Sequence, residues 1–152
     1  MRFSLRKLIV IGILVVHTAL APGIQKFEML DRKELKCLAN NIYYEARGEG
    51  YEGMLAVGLV TMNRVNHPTK FPGSICAVVF QRGQFSWTIT KRNLKTPHEL
   101  SEYVAYVAMT QSQDYSNFKA IYYHSTKVRP IWSGAVKKSN RIRNHIFYEE
   151  NV

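Results

Sequence analysis

The chain has 152 residues and a mass of 17.5 kDa, room for one domain with a true core, since about 100–150 residues is the commonest domain size. With 46% hydrophobic and 12% aromatic residues, and neither an internal repeat nor a low-complexity tract, the composition excludes a disordered chain and a repeat array. Lys and Arg number 21 against 11 Asp and Glu, a net charge of +10 that calls for an anionic partner such as nucleic acid, acidic lipid or a bacterial wall polymer. The basic residues are scattered over loops and form no helical stripe or nucleic-acid motif, so nucleic acid is not the expected partner.

Residues 1–21 place Arg2, Arg6 and Lys7 ahead of an apolar run, the layout of a secretory signal or short signal anchor, with a buried core helix as the alternative. Ala19-Leu20-Ala21 has the small-x-small form of a cleavage site, but Pro22 follows at once and hinders processing. The expectation is export to the periplasm or cell envelope, with residues 1–21 as a weak inner-membrane anchor and residues 32–152 as the working domain. Without that segment 18 basic residues remain against 11 acidic ones, so the domain itself is basic.

Asp31 followed by Glu34 reads as a capping box, and Leu35, Leu38, Ile42 and Ala46 supply the stripe of a first helix over 32–47. At about 100° per residue Glu45 falls beside Leu38 and Ile42 on the apolar face. Burial disfavours the charged form, which is how a glutamate becomes a general acid near neutral pH. A solvated glutamate, or one paired with Arg47 or Arg64, is the alternative. Gly48 and Gly50 end this helix, and residues 53–65, apolar on almost every side, predict a second helix inside the core. A short helical run follows over 75–80, then a loop over 81–90 that mixes Phe85 and Trp87 with amide and hydroxyl groups, as sugar binding requires; the same aromatics packed into the core are the alternative.

Thr96-Pro97-His98-Glu99 predicts a helix start, with Thr96 as N-cap, and the helix runs to about residue 113. Residues 120–124 and 142–148 read as two short strands, giving an α+β layout. Cys37 and Cys76 lack further ligands at zinc spacing, which leaves a disulfide or two thiols, and export favours the disulfide. No metal or cofactor is expected. Of the 11 carboxylates, Glu45, Glu49, Glu52 and Asp114 lie in segments able to line a cleft with the aromatic loop. Hydrolytic glycosidases ordinarily use two carboxyl groups. Glu49 sits one turn from Glu45 only if the helix continues through Gly48, so its expected role is to bind neighbouring backbone. A one-carboxyl mechanism suits the chain better.

The run from Cys37 to Gly50 through Tyr44-Glu45-Ala46-Arg47-Gly48-Glu49, with Asn63-Arg64-Val65, the segment 71–76 and Gln84-Phe85-Ser86-Trp87, resembles the SleB/CwlJ family of bacterial cell-wall hydrolases. Tyr123-His124, Pro130-Ile131-Trp132 and the segment 145–148 extend the resemblance, and Arg143 stands where that pattern has a small glycine. The resemblance implies a lysozyme-like α+β domain, a helical lobe with a small β lobe, acting on peptidoglycan glycan strands. It further implies a lytic transglycosylase with Glu45 as catalytic acid and Gln84, Ser86, Trp87, Tyr123 and His124 as cleft residues. A muramidase, a zinc-dependent amidase and a non-catalytic wall-polymer binder are the alternatives. The owner is either a bacterium remodelling its wall or a phage lysing its host.

Overall fold

The structure, a computed structural model, describes residues 30–67, 69–90, 94 and 97–151. The expected export segment 1–21 and the expected cap Thr96 lie outside the described residues. Among the described residues no helix is long and apolar enough to cross a membrane.

Helix α1 (Arg32–Ala46) opens where Asp31 accepts the backbone N–H groups of Lys33 at 2.8 Å and Glu34 at 3.3 Å. Only half of the expected capping box forms. Glu34 reaches across to the N–H of Cys76 at 3.0 Å instead of back to Asp31, because Cys37 and Cys76 are disulfide-bonded and hold that amide beside α1. Helix α2 (Gly50–Val65) starts three residues before the expected position and buries every residue from Gly53 to Thr61. At Gly58 a β-carbon would lie 3.1 Å from both Ala108 Cβ and Ile42 Cδ1, so this glycine lets α2 approach its two helical neighbours. Ser74 caps the short α3 (Ile75–Val79), and a single turn, α4 (Trp87–Thr90), forms in the loop expected to be irregular. Helix α5 (Glu99–Gln111) is capped by His98, whose ring nitrogen accepts the N–H of Leu100 at 3.3 Å, two residues later than the expected cap. Together α1, α2 and α5 enclose Leu38, Ile42, Val57, Val60, Val104 and Ala108.

Three antiparallel strands, β1 (Tyr122–Ser125), β2 (Lys137–Ile142) and β3 (His145–Glu149), form a sheet in the order β1-β3-β2. The expected strand over 142–148 is therefore the end of β2, a two-residue turn and most of β3. Sequence reasoning missed β2 because Lys-Lys-Ser-Asn-Arg-Ile has no apolar alternation. In the turn Arg143 takes φ 51°, the left-handed conformation that favours glycine, so the departure at this position falls on a backbone that glycine would ease.

That turn is held from the helical lobe. Glu49 follows α1 through a tight bend in which its N–H bonds the Ala46 carbonyl at 2.9 Å. Its carboxylate accepts the N–H of Asn144 at 2.9 Å and the Asn144 side-chain amide at 3.2 Å. Desolvation pushes this carboxyl upward, but the two Asn144 donors, with His145 and Arg143 as neighbours, outweigh it and hold Glu49 below its ordinary value.

Two stability outcomes follow. The disulfide closes a loop of 39 residues, and its loss is expected to cost about 4 kcal/mol by loop entropy, read as a lower denaturation midpoint in the Cys37→Ala/Cys76→Ala double variant. Glu49→Gln replaces one of two acceptors by a donor and is expected to lose about 1–3 kcal/mol near neutral pH. Because the folded pKa of Glu49 is lowered, its contribution is present above the unfolded value and fades as pH falls through the folded one. Denaturation of wild type and variant at neutral pH and near pH ~3 should therefore show a gap that narrows on acidification; a gap that is equal at both pH values would contradict this role.

Candidate active site

Glu45 lies in the last turn of α1, between half-buried Tyr44 and buried Ala46, at the seam where the helices meet the sheet. Periodicity put it on the inner face, and there it is half-buried. Its Oε2 accepts the hydroxyl hydrogen of Tyr123 at 3.0 Å. Desolvation raises its pKa above the ordinary 4.5, while the Tyr123 hydrogen bond and the positive charge of Arg64 pull the other way without cancelling the rise. Tyr123 is itself driven well above its usual pKa, by burial first and by the neighbouring Glu45, so it remains a protonated donor.

Arg64, on the last turn of α2, is buried, donates from Nε to the carbonyl of Ile121 at 2.7 Å and stands 5.2 Å and 5.4 Å from the ring centres of Phe71 and Phe85. The adjacent Asn63 donates its amide to the carbonyls of Phe118 at 2.7 Å and Ala120 at 3.0 Å. These side chains seat the start of β1 and so deliver Tyr123 to Glu45. His124, the next residue, is buried and has both ring nitrogens engaged, Nδ1 with the Ser125 carbonyl and Nε2 with the Tyr148 hydroxyl, each at 2.8 Å. A carbonyl only accepts, so Nδ1 carries a proton and donates it to Ser125, while Nε2 pairs with the Tyr148 hydroxyl.

Glu45, Tyr123 and His124 line an open cleft of about 440 Å³, whose opposite wall carries Gln84 and Ser86, both exposed. Trp87 corrects the expectation. It is 5% exposed, stacks on Tyr44 with ring centres 4.8 Å apart and donates its indole N–H to Asn41 at 3.2 Å, so it backs the wall and lines no part of the cleft. Phe85 is buried as well, although it still contributes to the lining of the cleft. Glu52 and Asp114 are exposed elsewhere, and neither lines the cleft. Arg47, one suggested partner of Glu45, lies 5.1 Å above the Tyr43 ring.

Of the other candidate carboxylates Glu49 does line the cleft although α1 stops at Ala46, because the bend returns the chain toward the sheet, and it binds backbone at Asn144, the role expected of it. Beside it His145, 7% exposed, has Nδ1 3.9 Å from Glu49 Oε2 and packs edge-on against Tyr123. Burial lowers its pKa, with Glu49 opposing, and this favours the neutral ring. His145 was not assigned to the cleft from the sequence, since it reaches the site only through the pairing of β3 with β1. A second depression of about 540 Å³ adjoins the cleft and shares Arg64, Gln84, Tyr123 and His124 with it. Among the described residues no group of three or more His, Cys, Asp or Glu is placed to hold a metal ion.

Comparison with known proteins agrees with this architecture. The chain is 27% identical to the catalytic domain of the germination-specific lytic transglycosylase SleB from Bacillus anthracis, with a TM-score of 0.70 over 80% of this chain and 98% of that one. For the catalytic domain of Bacillus cereus SleB the values are 26%, 0.68, 78% and 91%. In sequence it is 32% identical over 114 residues to the spore cortex-lytic enzyme of Halalkalibacterium halodurans, covering 75% of this chain and 34% of that protein. The match to the Bacillus subtilis spore cortex-lytic enzyme is 31% identical over 116 residues, covering 76% and 37%. The chain thus spans about a third of the length of these curated relatives. The sequence profile described as Cell Wall Hydrolase matches residues 48–148, a stretch that begins just after Glu45 and takes in Tyr123, His124 and both hairpin strands. On that match, and on a helical lobe with a small sheet shared with the SleB catalytic domains, the chain belongs to the cell wall hydrolase family and has its lysozyme-like α+β fold.

Proposed function

We propose that this protein cleaves the MurNAc-GlcNAc glycosidic bond of peptidoglycan as a lytic transglycosylase, with Glu45 as general acid and then general base. The observation that carries the reading is the half-buried Glu45 carboxyl, raised in pKa by burial and held by Tyr123 at the wall of an open cleft. The Tyr123 hydroxyl occupies a lone pair of Oε2, which leaves Oε1 to carry the acid proton. Glu45 gives this proton to the glycosidic oxygen as the C–O bond breaks, and Tyr123 and Arg64 stabilise the carboxylate that results. The muramoyl 6-hydroxyl then attacks the oxocarbenium-like centre of its own sugar, and Glu45 takes the proton that this hydroxyl loses. A 1,6-anhydromuramoyl end forms without activated water.

A muramidase would need a second carboxylate to act as nucleophile or to activate water. Glu49 faces the same cleft, but both of its oxygens are taken by Asn144. This favours the single-carboxyl route. An amidase would need a metal-ligand set, and a non-catalytic binder has no use for a carboxyl that keeps its proton in a cleft. Gln84, Ser86 and His124 serve to position the sugars, His124 through the shape of its ring since its nitrogens are occupied.

Glu45→Gln keeps the shape and loses the acidic proton, so glycan cleavage is expected to fall by about 10²–10⁴-fold or more. The same change should raise stability. The folded pKa of Glu45 is raised, so its protonated form suits the fold and stability is lost as pH rises through that value. Glutamine carries no charge to bury. The variant should melt above wild type at neutral pH and level with it below about pH 4. Wild-type activity should fall on the alkaline side, and Tyr123→Phe, which removes a donor to the carboxylate, should move that limb to higher pH. Mass analysis of digested peptidoglycan distinguishes the routes: anhydromuramoyl ends support the proposal, whereas new reducing muramoyl ends or an intact sacculus overturn it.

Export supplies access to this substrate. Residues 1–21 carry the charge and apolar pattern of an export segment, and Pro22 opposes cutting after Ala21. Intact-mass measurement on membrane and periplasmic fractions should find an uncleaved species, and a single species beginning at Pro22 would refute the anchor.

A further inference from the structure

Trp132 stands on a 3₁₀ turn (Ile131–Gly134) between β1 and β2. Three aromatic neighbours hold its indole: Tyr122 with ring centres 5.7 Å apart, His124 edge-on at 5.7 Å and Tyr148 edge-on at 5.5 Å. The turn beneath it is pinned by Ser133, whose N–H and hydroxyl both donate to the Pro130 carbonyl, at 3.1 Å and 2.7 Å. For all this support the side chain remains 40% exposed. Trp87 makes the contrast, since it is 5% exposed with its N–H bonded and has a full account in packing. A large aromatic ring fixed in orientation, with a substantial area left in water, is a prepared contact surface.

Its position gives that surface a direction. Trp132, Tyr122, Pro130 and Gln84 all line the depression of about 540 Å³. This depression continues the cleft of Glu45, with which it shares Arg64, Gln84, Tyr123 and His124. A linear polymer cut at Glu45 extends away from the cleaved bond on both sides, and this groove is a continuation sized within the usual range for ligand sites. A pyranose ring offers an apolar C–H face to the indole and equatorial polar groups to the amide and guanidinium around it.

We propose that Trp132 is the stacking platform of a sugar subsite displaced from the cleaved bond, and that it sets a preference for longer glycan strands. This rests on the reading of the cleft as one that cuts glycan, and it deepens that reading.

The sequence has two tryptophans, one buried and one exposed, so the emission of Trp132 is read as the difference between Glu45→Gln and Glu45→Gln/Trp132→Phe, with Trp87 as the common background. In the Glu45→Gln protein, titration with purified glycan strands sorted by length should produce a saturable emission change with long strands. The change should vanish in Glu45→Gln/Trp132→Phe, which keeps a ring but removes the reporter. On long strands Trp132→Ala should raise KM by about tenfold with kcat within about twofold of wild type, and on the shortest cleavable fragments it should match wild type. Should the alanine variant fold poorly, Trp132→Phe and the emission titration decide the point. An unchanged KM on long strands, or emission that stays still while calorimetry shows strands binding, overturns the proposal. Strand-dependent emission from a protein that generates no new glycan ends would uphold the subsite and refute the cutting reaction. New anhydromuramoyl ends with an indifferent Trp132 would do the reverse.

Discussion

The carbonyls of Phe118, Ala120 and Ile121 are taken by the side chains of Asn63 and Arg64, neighbours on one helix, and this fixes β1 against the helical lobe. The cleft depends on that docking. The next strand residues are Tyr122, Tyr123 and His124, so a shift of β1 by one residue would turn Tyr123 away from Glu45. Arg64 achieves this at a cost, because its guanidinium is buried and Nη1 has no hydrogen-bond partner among the described residues. The faces of Phe71 and Phe85 offset part of that cost, and the charge lies where a carboxylate formed on Glu45 would need it.

Two glutamates, one bend apart, share the cleft with opposite shifts, and their partners explain why. Glu45 suffers desolvation and receives a single hydroxyl, and burial wins. Glu49 is also desolvated but receives two amide donors and lies near His145 and Arg143, and the donors win. One carboxyl is shifted toward its protonated form and the other toward its charged form, from the same side-chain chemistry, by the environmental division that separates acids from structural anions in other enzyme sites.

The features legible in the sequence are those set by local pattern. The stripe through Leu38, Ile42 and Ala46 placed α1 and turned Glu45 inward, and the continuous apolar run placed α2 in the core. The features that escaped depend on partners far along the chain. Phe85-Ser86-Trp87 has the composition of a sugar-binding loop and equally of a buried one, and Asn41, which takes the Trp87 N–H, lies 46 residues earlier. Glu49 reaches the cleft through a bend rather than a continued helix turn, and α5 is capped by the His98 ring. Trp132 belonged to the resemblance only as part of a motif, because nothing local distinguishes an exposed tryptophan from a buried one.

Strand β2 escaped notice for a reason that bears on how copies of this protein meet. Among the described residues it forms one border of the sheet and pairs only with β3, and it exposes Lys137, Lys138 and Arg141, with an irregular register between Lys138 and Asn140. An unpaired strand border is a template on which another chain can add, and positive charges with a break in register are the usual guard. Two molecules approaching border to border would bring cation against cation, while an anionic wall polymer would meet attraction. The same lysines that made the segment look unlike a strand thus place a charge barrier at the sheet border, where a second copy of the chain would otherwise find a template.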